Sequence, residues 1–116
     1  MAGQSFGKRE RLLKRFEFEN VMDKGRKTRI GDICTVFCLK NGLDRHRLGI
    51  ISSRKIGNAP QRNRSKRRMR EAFRRIKNAI PTPMDIVIIV GKGAAPLSFP
   101  VLQEKIGQTL RCKRQP

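Results

Sequence analysis

Residues 53–80 read SRKIGNAPQRNRSKRRMREAFRRIKNAI and place one long basic helix in the middle of the chain. Gly57-Asn58-Ala59-Pro60 is a helix-start signal, with Pro near the first turn, and Pro81 and Pro83 stop the helix near residue 79. Stepping about 100° per residue gathers Met69, Ala72, Phe73, Ile76 and Ile80 into an arc of roughly 100°. That stripe anchors the second half of the helix. The first half has almost none, since no apolar residue falls between Gln61 and Arg68.

Between residues 54 and 77 stand eleven basic residues and a single acid, Glu71. A solvated charged helix alternates signs so that i, i+4 pairs attract. Here Arg64 faces Arg68, Lys66 faces Arg70 and Arg70 faces Arg74, all repelling. The pattern suits a rigid row of cations for phosphates. Arg outnumbers Lys in it, which favours planar bidentate contacts, and the helix N-terminus adds its own positive end. Asn58 and Asn63 suit sugar or base edges, and Asn58 serves equally well as a cap.

Working outward, Phe18, Val21 and Met22 at i, i+3, i+4 predict a helix over 17–24, stopped by Gly25. Leu12, Leu13 and Phe16 are expected to pack across its start. Residues 33–40 read as a strand, apolar on both faces. Asn41-Gly42-Leu43-Asp44 has hairpin-turn chemistry and leads into a strand over 47–53. The run over 85–90 is apolar throughout and should be a central strand covered on both sides. After a loop over 91–100, Leu102, Ile106 and Leu110 mark a final helix over 101–111. The expected fold is a single α+β domain over 1–116, an α/β sandwich in the order α-β-β-α-β-α. Residues 1–8 are expected to be disordered and 112–116 a frayed tail.

The balance of 28 Lys and Arg against 9 Asp and Glu leaves a formal charge of +19 on 116 residues. Self-repulsion at that charge calls for a polyanion, nucleic acid before an acidic membrane surface. The longest apolar run, residues 86–90, is far short of the roughly 20 needed to span a bilayer. No long apolar stretch follows the basic N-terminus, so a secretory signal is not expected. Glu10, Glu17 and Glu19 count against an organellar transit peptide. Cys34, Cys38 and Cys112 are odd in number and form no CxxC pair, which fits reduced thiols in the cytoplasm.

Nothing in the chain assembles a catalytic site. Acid–base cleavage of RNA wants two groups poised near neutrality, often both His, and the only histidine is His46, between Arg45 and Arg47. Metal-dependent hydrolysis wants clustered carboxylates, and the nine acids are scattered. No catalytic residue and no metal ligand set is expected. Phe18 and Phe37 admit two readings, core packing or an uncovered stacking platform for single-stranded nucleic acid. A helix-turn-helix that reads DNA would need a helix shortly before Gln61, where the sequence reads as strand.

Leu48-Gly49-Ile50, then Ser53-Arg54-Lys55-Ile56-Gly57-Asn58-Ala59, Arg62-Asn63-Arg64-Ser65-Lys66-Arg67 and Arg70-Glu71-Ala72-Phe73 resemble the protein subunit family of bacterial ribonuclease P. Arg62-Asn63-Arg64 matches the family's RNR motif, and the likeness runs over about residues 8–112, through Arg11-Leu12, Phe18 and Gly25 to the strand at 85–90. The resemblance implies an accessory subunit of an endoribonuclease, a ribonucleoprotein that removes the 5′ leader from precursor tRNA. The catalytic centre and the Mg²⁺ would then belong to the large RNA. It implies that Arg54, Lys55, Asn58, Arg62, Asn63, Arg64, Lys66, Arg67, Arg68 and Arg70 face that catalytic RNA. Phe18, Met22 and Phe37, with Lys55 nearby, would line a cleft for the single-stranded leader. It also implies a left-handed crossover around the basic helix, where the general rule is right-handed. Phe37 stands where many relatives carry Tyr. The competing expectation is a ribosomal or other structural RNA-binding protein without a role in cleavage.

Overall fold

The structure is a computed structural model that describes residues 10–112, with side chains through Leu110. The expectations for residues 1–8, for the tail beyond 112 and for the Cys112 thiol lie outside the described residues. The elements are α1 (Arg15–Lys24), β1 (Arg26–Ile30), β2 (Cys34–Lys40), β3 (Arg47–Ile51), α2 (Ala59–Ile76), β4 (Met84–Val90) and α3 (Phe99–Cys112). One sheet runs in the order β1-β2-β4-β3. β4 pairs antiparallel with β2 and parallel with β3. It is central, as its apolar run predicts, and every residue in it but Ile89 is buried.

Three expectations change. β1 is a strand absent from the predicted order. Its residues, Arg-Lys-Thr-Arg-Ile, are mostly exposed at the sheet edge, so no apolar alternation marks them. It forms the hairpin with β2 through Gly31, whose φ of +47° is cheap only for glycine. The Asn41–Asp44 loop, in turn, joins no hairpin, because β4 lies between β2 and β3. Finally, Leu12 packs inward, but Leu13 and Phe16 are 58% and 65% exposed. α1 begins at Arg15, and two residues along a helix subtend about 200°. Phe18 faces the sheet, so Phe16 faces away.

One face of the sheet is covered fully and the other in part. α2 and α3 pack Met69, Phe73, Ile76, Leu102 and Ile106 against Val36, Ile86 and Ile88. α1 brings Val21 against Phe37 and Val87 on the other face. Cys34 and Cys38 are buried thiols outside any disulfide, and burial pushes the Cys34 thiol up to about 12, so it stays protonated and inert. The outer edge of β3 is closed by a bridge to Arg11 and by Leu12 N–H, which donates to the Leu48 carbonyl at 3.0 Å.

A polar network ties α1 to the sheet. Asp85 is 4% exposed and takes both arms of Arg47, at 2.8 Å on Oδ1 and 2.6 Å on Oδ2. Asn41 donates to the same Oδ1 at 2.9 Å, and Glu17 lies 3.2 Å from Arg47 Nη1. The Lys14 N–H, followed by that of Leu13 and the Arg47 charge, holds the Glu17 carboxyl below its usual range.

His46 accepts from Met84 N–H at 3.0 Å and stands edge-on to Phe73 at 6.0 Å. Burial lowers its pKa, because the charged imidazolium is poorly solvated there. The unfolded chain therefore binds the proton first as pH falls, and stability is lost as pH drops below about 6.5. Thermal unfolding between pH 8 and 5.5 should show this loss, and His46→Gln should flatten it. An unchanged slope in that variant would place the titration elsewhere.

Candidate nucleic-acid interface

The first half of α2 is held by polar fastenings in place of apolar packing. Asn58 caps the helix: its side chain accepts from Gln61 N–H at 3.0 Å, and the Gln61 side chain accepts from Asn58 N–H at 2.8 Å. Of the two readings for Asn58, the structure shows the cap. Gly57 has a φ of 143° and lies against the Gln61 side chain, where a Cβ would collide. Arg62 donates to the Gly57 carbonyl at 3.0 Å, and the Ser65 and Ser52 hydroxyls meet at 2.8 Å. Arg68 reaches the carbonyls of Ala94, at 2.9 Å, and Leu97.

The cations sort by these partners. Arg64 and Arg67 are exposed and Lys66 is half-buried; among the described residues none of the three side chains has a hydrogen bond or an ion pair. Arg54 and Lys55, on a 3-10 turn before α2, are exposed in the same way, and Asn63 is exposed. Burial, then the Arg11 and Arg67 charges, pull the Arg70 pKa down, so three guanidiniums converge there. At the far end Glu71 holds Arg74 at 3.0 Å and Arg75 at 2.9 Å, and those bonds lower its own pKa to about 2. The uncompensated charge is thus concentrated on the turns that pack least. Such a cluster of cations can take the charge of several phosphates.

Arg68 is directed into the protein. Arg68→Ala should cost about 2 kcal/mol of stability, the scale of charge-assisted hydrogen bonds in a half-buried site. It should leave the salt dependence of RNA binding unchanged, whereas Arg64→Ala should lower that slope by about 0.8. Urea unfolding and salt titrations of both variants check the contrast. Equal slopes would return Arg68 to the phosphate row.

The second surface lies on the α1 face of the sheet, where the register builds rows across the strands. Lys27, Phe37, Val87 and Gly49 form one row, and Arg29, Thr35, Ile89 and Ile51 the next. α1 lies over the first. Phe18 sits directly on Gly49, where any Cβ would enter its ring, and Met22 packs in the same cluster. The second row is only half-buried at Thr35, Ile89 and Ile51. Phe18, Met22 and Phe37 are therefore brought together, with Phe37 only 7% exposed as floor beneath the other two. Lys55 lies apart from them and lines an open hollow of about 520 Å³ beyond the second row. Lys27 and Arg29 add two cations to this face that no period in the sequence places there. The available signal was Gly31-Asp32, a tight turn just before β2 that implies a partner strand ahead of it.

Among the described residues no group of three or more His, Cys, Asp or Glu could hold a metal ion. No helix among them is long and apolar enough to cross a membrane.

Fold and surface together define a small polyanion-binding domain of mixed α and β structure. The Ribonuclease P family model matches residues 6–114, and the chain belongs to that family. The ribonuclease P protein component of Thermotoga maritima is 45% identical over 89 residues, 77% of this chain and 75% of that one. That of Desulfosudis oleivorans is 38% identical over 108 residues, 93% of this chain and 88% of its own. Among solved structures, the RNase P protein from Thermotoga maritima superposes with a TM-score of 0.79 at 38% identity, covering 88% of this chain and 96% of that one. The Staphylococcus aureus RNase P protein gives 0.76 at 29% identity, covering 91% and 95%.

Proposed function

We propose that this chain is the protein subunit of a ribonuclease P holoenzyme, assisting a large catalytic RNA in the Mg²⁺-dependent endonucleolytic removal of the 5′ leader from precursor tRNA. The observation that carries the reading is the row Arg64, Lys66 and Arg67, unpaired among the described residues on the half of α2 with no apolar packing. Such a row screens phosphate repulsion as the RNA closes on the protein. The leader lies in the cleft beside Phe18 and Met22, over Phe37, with Lys55 at its end. The Mg²⁺ of the RNA-protein holoenzyme would belong to the RNA, and this chain supplies binding and orientation. The protein acts in the cytoplasm, where its buried thiols stay reduced.

Cleavage of a leader-bearing precursor tRNA at a few millimolar Mg²⁺ tests this, comparing large RNA alone, protein alone and the two combined. Stimulation only in the combination is expected. Tight, salt-sensitive RNA binding without stimulation would favour a structural RNA-binding protein.

A further inference from the structure

We infer that β1 forms the far end of the cleft, and that Lys27 and Arg29 hold phosphates of a single-stranded RNA running across the strands from Lys55. The inference rests on the leader-binding reading above. Side chains alternate along a strand, so Lys27 and Arg29 share the face of Phe37 and Thr35, their partners in register. Lys27 Nζ stands 5.9 Å from the centre of the Phe37 ring. Arg29 lines the open hollow together with Thr35, Ile89, Lys55 and Lys92. Asp32 is the only acid lining that hollow, against three cations. Arg29 Nε donates to the Gly31 carbonyl at 3.1 Å, which fixes the guanidinium and leaves its two terminal nitrogens without a partner among the described residues.

The dimensions suit an extended strand. Lys27 and Arg29 are two residues apart, about 6.6 Å along β1, and the sheet is about 14 Å wide from β1 to β3. A chain laid along the half-buried row from Ile51 to Arg29 thus meets Lys55 at one end and the β1 cations at the other. Its bases lie over apolar floor between them. Basic residues on an edge strand also discourage strand-to-strand association. That role needs no cations opposite, and it would be served as well by Arg26, whose side chain is on the other face.

The test uses holoenzyme reconstituted with the cognate large RNA. The double variant Lys27→Ala, Arg29→Ala is compared with Arg26→Ala, Lys55→Ala and the parent for binding of precursor tRNA and mature tRNA across salt concentrations. The double variant should lose affinity for the precursor alone, and the slope of log K against log salt should fall by about 1.4, two single-strand contacts at about 0.7 each. Both replaced residues are exposed, so thermal unfolding should match the parent. A double variant that keeps the parent's preference and slope, or changes no more than Arg26→Ala, overturns the inference. If Lys55→Ala still weakens precursor binding in that case, the leader reading stands alone. If the parent itself shows no preference for precursor over mature tRNA, the leader reading falls and takes the inference with it.

Discussion

Replacing Arg47 by Met should destabilise the protein by about 3–5 kcal/mol, the cost of leaving a buried charge without its partner. Asp85 would keep its hydrogen bond from Asn41 but lose both guanidinium contacts. A domain of this size has on the order of 5–15 kcal/mol in total, so the variant would approach the edge of folding. Glu17 loses its cation too, which frees the start of α1 from the sheet. The double replacement Arg47→Met, Asp85→Leu should recover most of the loss, because an apolar pair in place of a buried ion pair is often near neutral. Urea unfolding at pH 7 measures both. A loss below about 1 kcal/mol in the single variant would show that water reaches Asp85 and that the pair acts as a surface bridge.

The triple replacement of Arg64, Lys66 and Arg67 by Ala should weaken binding to the large RNA about a hundredfold, at roughly 1 kcal/mol for each lost contact. The slope of log K against log salt should fall by about 2–3, at about 0.7–0.9 per phosphate contact. Stability should hold or rise slightly, since Arg64 and Arg67 are exposed, none of the three side chains has a hydrogen bond or ion pair among the described residues, and they repel one another. Filter binding across salt concentrations, with circular dichroism as the folding control, decides it. Weaker binding at an unchanged slope would mean that the three residues shape the helix without touching phosphate.

The sequence discloses elements in proportion to how much each owes to its own periodicity. The stripe from Met69 to Ile80 and the unbroken run of β4 are buried as read, because burial on one face or on two leaves its period in the residues themselves. β1 leaves none. Its register is imposed by β2, and its exposed positions carry charge where a half-buried strand would alternate. The position of β4 between β2 and β3 is likewise set by a long-range crossover, so a local turn signal at Asn41–Asp44 predicts the wrong neighbour. The same division runs through the interface. A charge row is legible as composition at a helical period, but which cations are committed elsewhere is not. Arg68 differs from Arg64 only through carbonyls at Ala94 and Leu97, about thirty residues along the chain.

The two halves of α2 answer to different judges. Met69, Ala72, Phe73 and Ile76 are matched to the sheet, and a change there disturbs every layer behind them. Asn63, Arg64, Lys66 and Arg67 lie on turns with no buried side chain, so their replacement leaves the interior as it was. Inheritance can therefore revise the two separately. A lineage whose RNA drifts can follow it residue by residue along one half-helix, while the scaffold stays the same molecule.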